Sequence, residues 1–203
     1  MECTADKTVT YCKGGMNMKR LVCLLWVALL LCGCSAGENG MDAALRLRSQ
    51  LQSAENCSFD AQILADYGDV TYTFTLSCVG DPAGNLSFTV TEPESISGIT
   101  GKLSKEGGKL TFDDVALSFP LLAEGLVTPV SGPWVFLTAL RGGNMTSIGA
   151  DGEYTRLTVS DSYEADAMTL DIWLTGENIP VQADVIWENR RILTMQIRNF
   201  QMM

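Results

Sequence analysis

"CSFDAQILADYGDVTYTFTLSC", residues 57–78, is two alternating runs hinged on Tyr67-Gly68. If those two residues form the turn, Asp66 pairs with Asp69. Ala65 then faces Val70, Ile63 faces Tyr72, Ala61 faces Phe74 and Phe59 faces Leu76, and every pair is apolar. The opposite face carries Leu64–Thr71, Gln62–Thr73, Asp60–Thr75 and Ser58–Ser77. A one-residue slip would mix the two faces, so the pattern predicts an antiparallel hairpin buried on one side. The same register sets Cys57 opposite Cys78, in a non-hydrogen-bonded pair whose Cα atoms are ~4.5 Å apart. That separation is at the short end of disulfide geometry. A disulfide and a pair of reduced, buried thiols both fit the sequence.

Downstream the alternation continues. "NLSFTVTEP" (Asn85 to Pro93) sets Leu86, Phe88 and Val90 against Ser87, Thr89 and Thr91, a third strand. "ISGITGKLS" and "KLTFDDVALSF" flank Gly107-Gly108 as a further hairpin, and the apolar parity changes between Phe112 and Val115, which predicts a bulge at Asp113-Asp114. That acidic pair falls far short of a Ca²⁺ cage, which takes six or more oxygens. After "PLLAEGLVTPV", an apolar connection, "SGPWVFLTALRGGN" has Ser131 as a cap, Pro133 in the first turn and Gly142-Gly143 as a stop. The intervening Trp134 to Leu140 is a nearly all-apolar helix, which has to be buried. Strands resume in "EYTRLTVS", "AMTLDIWLT", "PVQADVIWE" and "RILTMQIRNF". The last two meet at Glu188-Asn189-Arg190, where matching the parities needs an odd loop or a bulge.

Upstream, "MDAALRLRSQLQSA" (Met41 to Ala54) places Met41, Ala44, Leu45, Arg48 and Leu51 on one stripe at helical spacing. Ser35 to Gly40 reads as a polar tether. Before it, "KRLVCLLWVALLLCGC" runs through only twelve apolar residues, Leu21 to Cys32, whereas a membrane-spanning helix needs ~20. Two cations, a short apolar run and small residues at the boundary are the marks of a secretion signal; a short buried helix and an uncleaved span are the alternatives. Leu31-Cys32-Gly33-Cys34 resembles the lipobox of bacterial lipoproteins. The resemblance implies cleavage after Gly33 and a diacylglyceryl thioether on Cys34. Residues 1–17 have no apolar period, and Lys13-Gly14-Gly15 can be encoded by a purine-rich ribosome-binding sequence. We therefore expect translation to start at Met18, with Met16 the alternative, and 1–17 to be a mis-annotated upstream segment. The resulting organisation is 18–33 signal peptide, 34–40 lipidated Cys and tether, and 41–203 a single domain.

The whole sequence of 203 residues has 14 Lys and Arg against 24 Asp and Glu, a net charge of −10. Without Lys7, Lys13, Lys19, Arg20, Glu2 and Asp6, the part from Cys34 onward stands at −12. Such a surface disfavours nucleic acid and is repelled by anionic headgroups, so membrane residence is expected from the lipid on Cys34. There is no histidine, which removes the usual general base near neutral pH and the commonest transition-metal ligand. No nucleophile elbow, phosphate loop, dinucleotide fingerprint or zinc-spaced cysteine cluster is present. The expectation is a protein that is not an enzyme and uses no metal or cofactor.

A lipoprotein signal, one N-terminal helix, a meander of antiparallel strands and an inserted apolar helix together resemble the LolA/LppX-like superfamily. "TEPESISGIT" (Thr91 to Thr100) and "IPVQADVIWENRRILTMQIRNF" (Ile179 to Phe200) carry the likeness, which is strongest to LolA-like lipoproteins of Gram-positive bacteria. The resemblance implies an α+β fold, an incomplete antiparallel β-barrel of about ten strands wrapped around the N-terminal helix and the inserted helix. It also implies an apolar space that accepts acyl chains or other lipids. Candidate lining residues are Phe59, Ile63, Tyr72, Phe74 and Leu76 on the first hairpin, with Trp134, Phe136, Leu137 and Leu140 on the inserted helix; ordinary core packing would use the same side chains. The segment Leu121 to Val130 is expected as a lid. The leading expectation is an extracytoplasmic, membrane-anchored lipoprotein that binds a hydrophobic ligand. The alternative is a structural or interaction lipoprotein of the envelope or spore, with a filled core and a protein partner.

Overall fold

The computed structural model describes residues 35–123, 126–161 and 167–203. The expected signal, the expected anchor at Cys34 and the segment 1–17 lie outside the described residues. Gly37–Met203 forms one compact unit that contains every core residue, so it carries the core it needs to fold by itself. No described helix is long and apolar enough to cross a membrane.

Helix α1 (Ser35–Ser53) precedes six strands: β1 (Cys57–Asp66), β2 (Thr71–Gly80), β3 (Leu86–Glu92), β4 (Thr100–Ser104), β5 (Gly107–Phe112) and β6 (Val115–Phe119). The short pair β7 (Leu122–Ala123) and β8 (Leu126–Val127) leads into helix α2 (Gly132–Gly142). Five strands follow: β9 (Asn144–Asp151), β10 (Tyr154–Ser160), β11 (Thr169–Leu174), β12 (Pro180–Trp187) and β13 (Arg190–Met202). Eleven of these strands form one antiparallel sheet in the order β6-β5-β4-β3-β2-β1-β13-β12-β11-β10-β9, and β7-β8 stands apart. The first and last strands, β1 and β13, lie side by side in the middle, while β6 and β9 are the edges. The sheet is therefore an incomplete barrel. Register shifts at Ser58/Asp60, Thr75/Leu76 and Val185/Ile186 bend it, as bulges do.

The first hairpin keeps the expected faces and changes the expected partners. Cys57 pairs with Gly80, Phe59 with Cys78, Ala61 with Leu76, Ile63 with Phe74 and Ala65 with Tyr72. The loop is four residues, 67–70, not two. Gly68 takes φ +93° there, a region glycine enters freely, and donates its N–H to Asp66 Oδ1 at 2.8 Å. The wider loop removes the Asp66–Asp69 pairing. A slip of two residues leaves every side chain on its original face, so alternation alone cannot detect it.

Two turns also differ in kind. Asp113 and Asp114 have φ of +46° and +63° and join Phe112 to its partner Val115, so they form a two-residue primed hairpin turn in place of the expected bulge. The parity change between Phe112 and Val115 is what such a turn requires, because the two residues face each other on one side. The β4–β5 turn is at Lys105-Glu106, just before Gly107. Glu188 and Asn189 repeat the primed conformation, and there the expected bulge exists, between Val185 and Ile186. Strand β9 was not foreseen: "NMTSIGAD" has few apolar side chains, and as an edge strand it is mostly exposed.

The helices fill the concave side. In α1 the buried residues are Ala44, Leu47 and Leu51, while Leu45 is largely exposed, so the apolar stripe is rotated from the one the sequence suggested. The helix also begins at Ser35 rather than near Met41. Helix α2 buries Val135, Phe136, Leu137, Ala139 and Leu140. Ser131 does not cap it through its side chain; its hydroxyl pairs with that of Thr128. The two helices are joined by Arg48, whose Nε donates to Leu140 O at 2.8 Å and Nη2 to Gly143 O at 2.7 Å. Those are the carbonyls a helix C-terminus leaves without partners.

Candidate functional site: an apolar groove at the open side of the sheet

The turn that rearranged the first hairpin also builds the site. Tyr67 comes from the loop, Tyr72 and Phe74 from β2, Val90 from β3 and Leu110 from β5. A short 3₁₀ turn at Glu94–Ile96 and the chain after it supply Ile96 and Ile99. The opposite wall is the strap Val127–Val130 between β8 and α2. These side chains enclose about 510 Å³, within the range of small-molecule sites.

The strap is tied at several points. The Tyr67 hydroxyl donates to the Val127 carbonyl. Thr128 bonds Leu121 O through both its N–H, at 3.0 Å, and its hydroxyl, at 3.1 Å. Burial pushes the Tyr67 phenol up, and nearby Tyr72 adds to the shift, so Tyr67 stays a neutral donor at physiological pH. Tyr67 and Thr128 thus spend their hydroxyls on the wall itself. Among the described residues no Asp, Glu, Lys or Arg lines the groove. A surface of this kind can shelter apolar matter from water at ~25 cal/mol per Å².

The nine residues singled out from the sequence are not brought together in one site. Phe59, Ile63, Leu76, Phe136, Leu137 and Leu140 are at most 2 % exposed and form the core between sheet and α2; Phe59 and Phe136 meet edge to face at 5.5 Å. Leu137 lies so close to Gly80 that a Cβ there would stand 2.2 Å from its Cδ2. Tyr72 and Phe74 line the groove. Trp134 lines a different cavity of about 650 Å³ with Val135, Leu121 and Met168, and its indole N–H donates to Gly84 O at 2.8 Å. The residues the sequence reading missed are Tyr67, Val90, Ile96, Ile99 and Leu110, whereas the strap falls within the segment Leu121 to Val130 expected as a lid. Their signal was faint, an Ile-x-x-Ile spacing inside a stretch rich in turn residues. Trp173 donates its indole N–H to Asp151 Oδ2 at 2.9 Å. Among the described residues no cluster of three or more His, Cys, Asp or Glu is arranged to hold a metal.

Cys57 and Cys78 are both free and buried. The two-residue slip places Gly80, not Cys78, opposite Cys57, so the expected direct pairing is absent. Burial raises the Cys57 thiol to about 11, against a partial offset from Arg141, and drives Cys78 higher still. Iodoacetamide at neutral pH is expected to leave both thiols unmodified in the folded protein and to label both in urea, as read by mass; labelling of the native protein at the unfolded rate would contradict the burial. Both thiols hold their protons more tightly folded than unfolded. The contribution of Cys57 to stability is therefore complete below pH 9.0 and is lost as pH rises through about 11, and that of Cys78 is lost at higher pH still.

The architecture and the groove define a class: an open antiparallel half-barrel with helices on its concave side and an apolar recess beside them. No protein-family model matches this chain, and no curated protein matches it either. Solved structures to which it is similar are of the LolA/LppX-like superfamily. A LolA superfamily protein from Nitrosomonas europaea matches at 9% identity and TM-score 0.41, covering 79% of this chain and 93% of that one. A putative outer membrane lipoprotein-sorting protein domain from Vibrio parahaemolyticus matches at 6% identity and TM-score 0.44, covering 81% and 92%. The Mycobacterium tuberculosis lipoprotein LppX matches at 8% identity and TM-score 0.37, covering 78% and 93%. The likeness is one of chain outline; ligand chemistry has to come from this chain's own residues.

Proposed function

We propose that this protein is an exported lipoprotein, anchored through a lipid on Cys34, that binds an acyl chain or another apolar ligand in the groove between β2, β3, β5 and the Val127–Val130 strap. The observation that carries the reading is an open recess of about 510 Å³ whose wall is apolar except for Tyr67, Tyr72 and Thr128, in a domain whose core proper is already filled. The mechanism is shelter: the chain leaves water for a preformed wall, and the strap forms one side of the entrance.

The second reading, an interaction lipoprotein, is favoured by one feature. Edge strand β6 and its neighbour expose Phe112, Val115 and Leu117 at 52, 71 and 63 % beside unpaired backbone groups, where another strand can add.

Native mass spectrometry of Ser35–Met203 mixed with envelope lipids separates the two. A saturable lipid adduct is expected, and Ile96→Asp should weaken it on the order of tenfold or more by placing a charge against the ligand. Ile96 is 38% exposed, so the substitution spares the core. A bare protein at every lipid concentration would overturn the ligand reading and leave the β6 edge as the functional surface.

A further inference from the structure

The groove accounts for the concave face; the convex face of the same strands has a separate and opposite character. After Lys19 the sequence contains only three lysines, Lys102, Lys105 and Lys109, and all three are on the β4–β5 hairpin. Lys102 pairs directly with Lys109 across the two strands. Ser87 stands beside Lys102 and Ser118 beside Lys109, so four adjacent strands present a row Ser87–Lys102–Lys109–Ser118. The next row toward the primed turn is Thr89–Thr100–Thr111. Neighbouring strands are ~4.8 Å apart, which makes this a compact array of two ammonium groups flanked by hydroxyls. The array lines a concavity of about 510 Å³ with Gly101 in its floor.

Like charges placed directly opposite on a sheet are destabilising. In a chain this acidic, an intramolecular carboxylate partner would be the simple remedy, yet among the described residues neither lysine is in an ion pair. Five of the seven described arginines, all but Arg46 and Arg198, behave differently. Arg48 and Arg141 are held by backbone carbonyls, and Arg156, Arg190 and Arg191 by Asp171, Asp66 and Asp184. We propose that the Ser–Lys–Lys–Ser row on the outer face of β3–β6 binds a phosphodiester anion presented on a single strand, such as a polyol phosphate polymer.

The chemistry selects this partner over others. Lysine binds phosphate as a compact point charge, without the planar bidentate geometry that arginine offers to carboxylate and phosphate alike. Hydroxyls on both flanks supply further donors to phosphate oxygens. A planar anionic membrane fits less well, because Glu106 sits in the turn beside Lys105 and Asp113-Asp114 close the other end of β5. A narrow strand lying across the sheet meets the lysines and misses those acids. At physiological salt the Debye length is about 8 Å, so the local array acts despite the negative charge of the molecule.

The test titrates Ser35–Met203, and the double variant K102Q/K109Q, with glycerol phosphate oligomers and separately with phosphatidylglycerol vesicles, followed by calorimetry and amide NMR. The expected result is oligomer binding with shifts centred on Lys102, Lys109 and the flanking hydroxyl residues, weakened on the order of tenfold in the double variant. The variant should melt no lower than the parent, since it relieves a repulsive pair, and this separates lost binding from lost folding. Absence of oligomer binding, oligomer binding unchanged in K102Q/K109Q, or lysine-dependent binding to vesicles alone would each overturn the proposal. Lipid binding in the groove is read independently by Ile96→Asp, so the two can fail separately.

Discussion

Phe136→Ala is expected to lower the unfolding free energy by about 3–5 kcal/mol, read as a fall in the urea midpoint at unchanged slope. Phe136 is fully buried and stands where the two halves of the molecule meet, its ring edge-on to Phe59 at 5.5 Å and to Phe200 at 6.4 Å. Those partners are on β1 and β13, the central strands, so the cavity left by alanine would open beneath the middle of the sheet. Collapse around it is hindered because α2 is held at both ends, by Thr128–Ser131 before it and by Arg48 after it. A loss below about 1 kcal/mol, the scale of a surface substitution, would show that α2 is not a core element. The same reasoning warns against a charge at Leu137 as a probe of ligand binding: Leu137 is 2 % exposed, and a charged side chain there would unfold the domain instead of blocking a ligand.

Arg48→Met should cost about 2–3 kcal/mol, because hydrogen bonds from a charged donor each contribute about 1.5–3 kcal/mol and the carbonyls they leave are partly buried. Methionine keeps most of the apolar stem, which limits the loss from packing. The effect should be local as well as global. Hydrogen exchange at the last turn of α2 should rise more than exchange in β1, since the end of that helix loses the group satisfying Leu140 O and Gly143 O. Gln52, which donates to Arg141 O at 2.8 Å, remains as a weaker tie between the helices. Uniform acceleration across the sheet, with no excess in α2, would mean that Arg48 acts on general stability and not as a cap for that helix.

The sequence carried the general plan of the fold and much less of the site. Alternation in β1, β2 and β3 named the buried face correctly, because side-chain direction along a strand is a local property of the backbone. The all-apolar run in α2 required burial for the same local reason. The candidate lining was harder. Phe59 and Phe74 both alternate inward on one hairpin, yet one is packed against Phe136 and the other faces the groove. Nothing in their own neighbourhoods distinguishes them; the difference depends on where α2 stops covering the sheet.

By itself, then, the sequence determined which face of β1, β2 and β3 is buried, that an apolar helix must lie against it, that histidine chemistry is excluded, and that the chain reverses near 188–190, while it read the reversal at 113–114 as a bulge. Tertiary structure alone decided the pairing. A two-residue slip costs no burial, so the choice between a two- and a four-residue loop fell to Gly68, Asp66 and the Tyr67 contact with Val127, a residue sixty positions away. That choice separated Cys57 from its expected partner and set Tyr67 in the groove wall. Period-two patterning fixes the face of a strand, while register, and every site that depends on it, is settled by contacts between segments far apart in the chain.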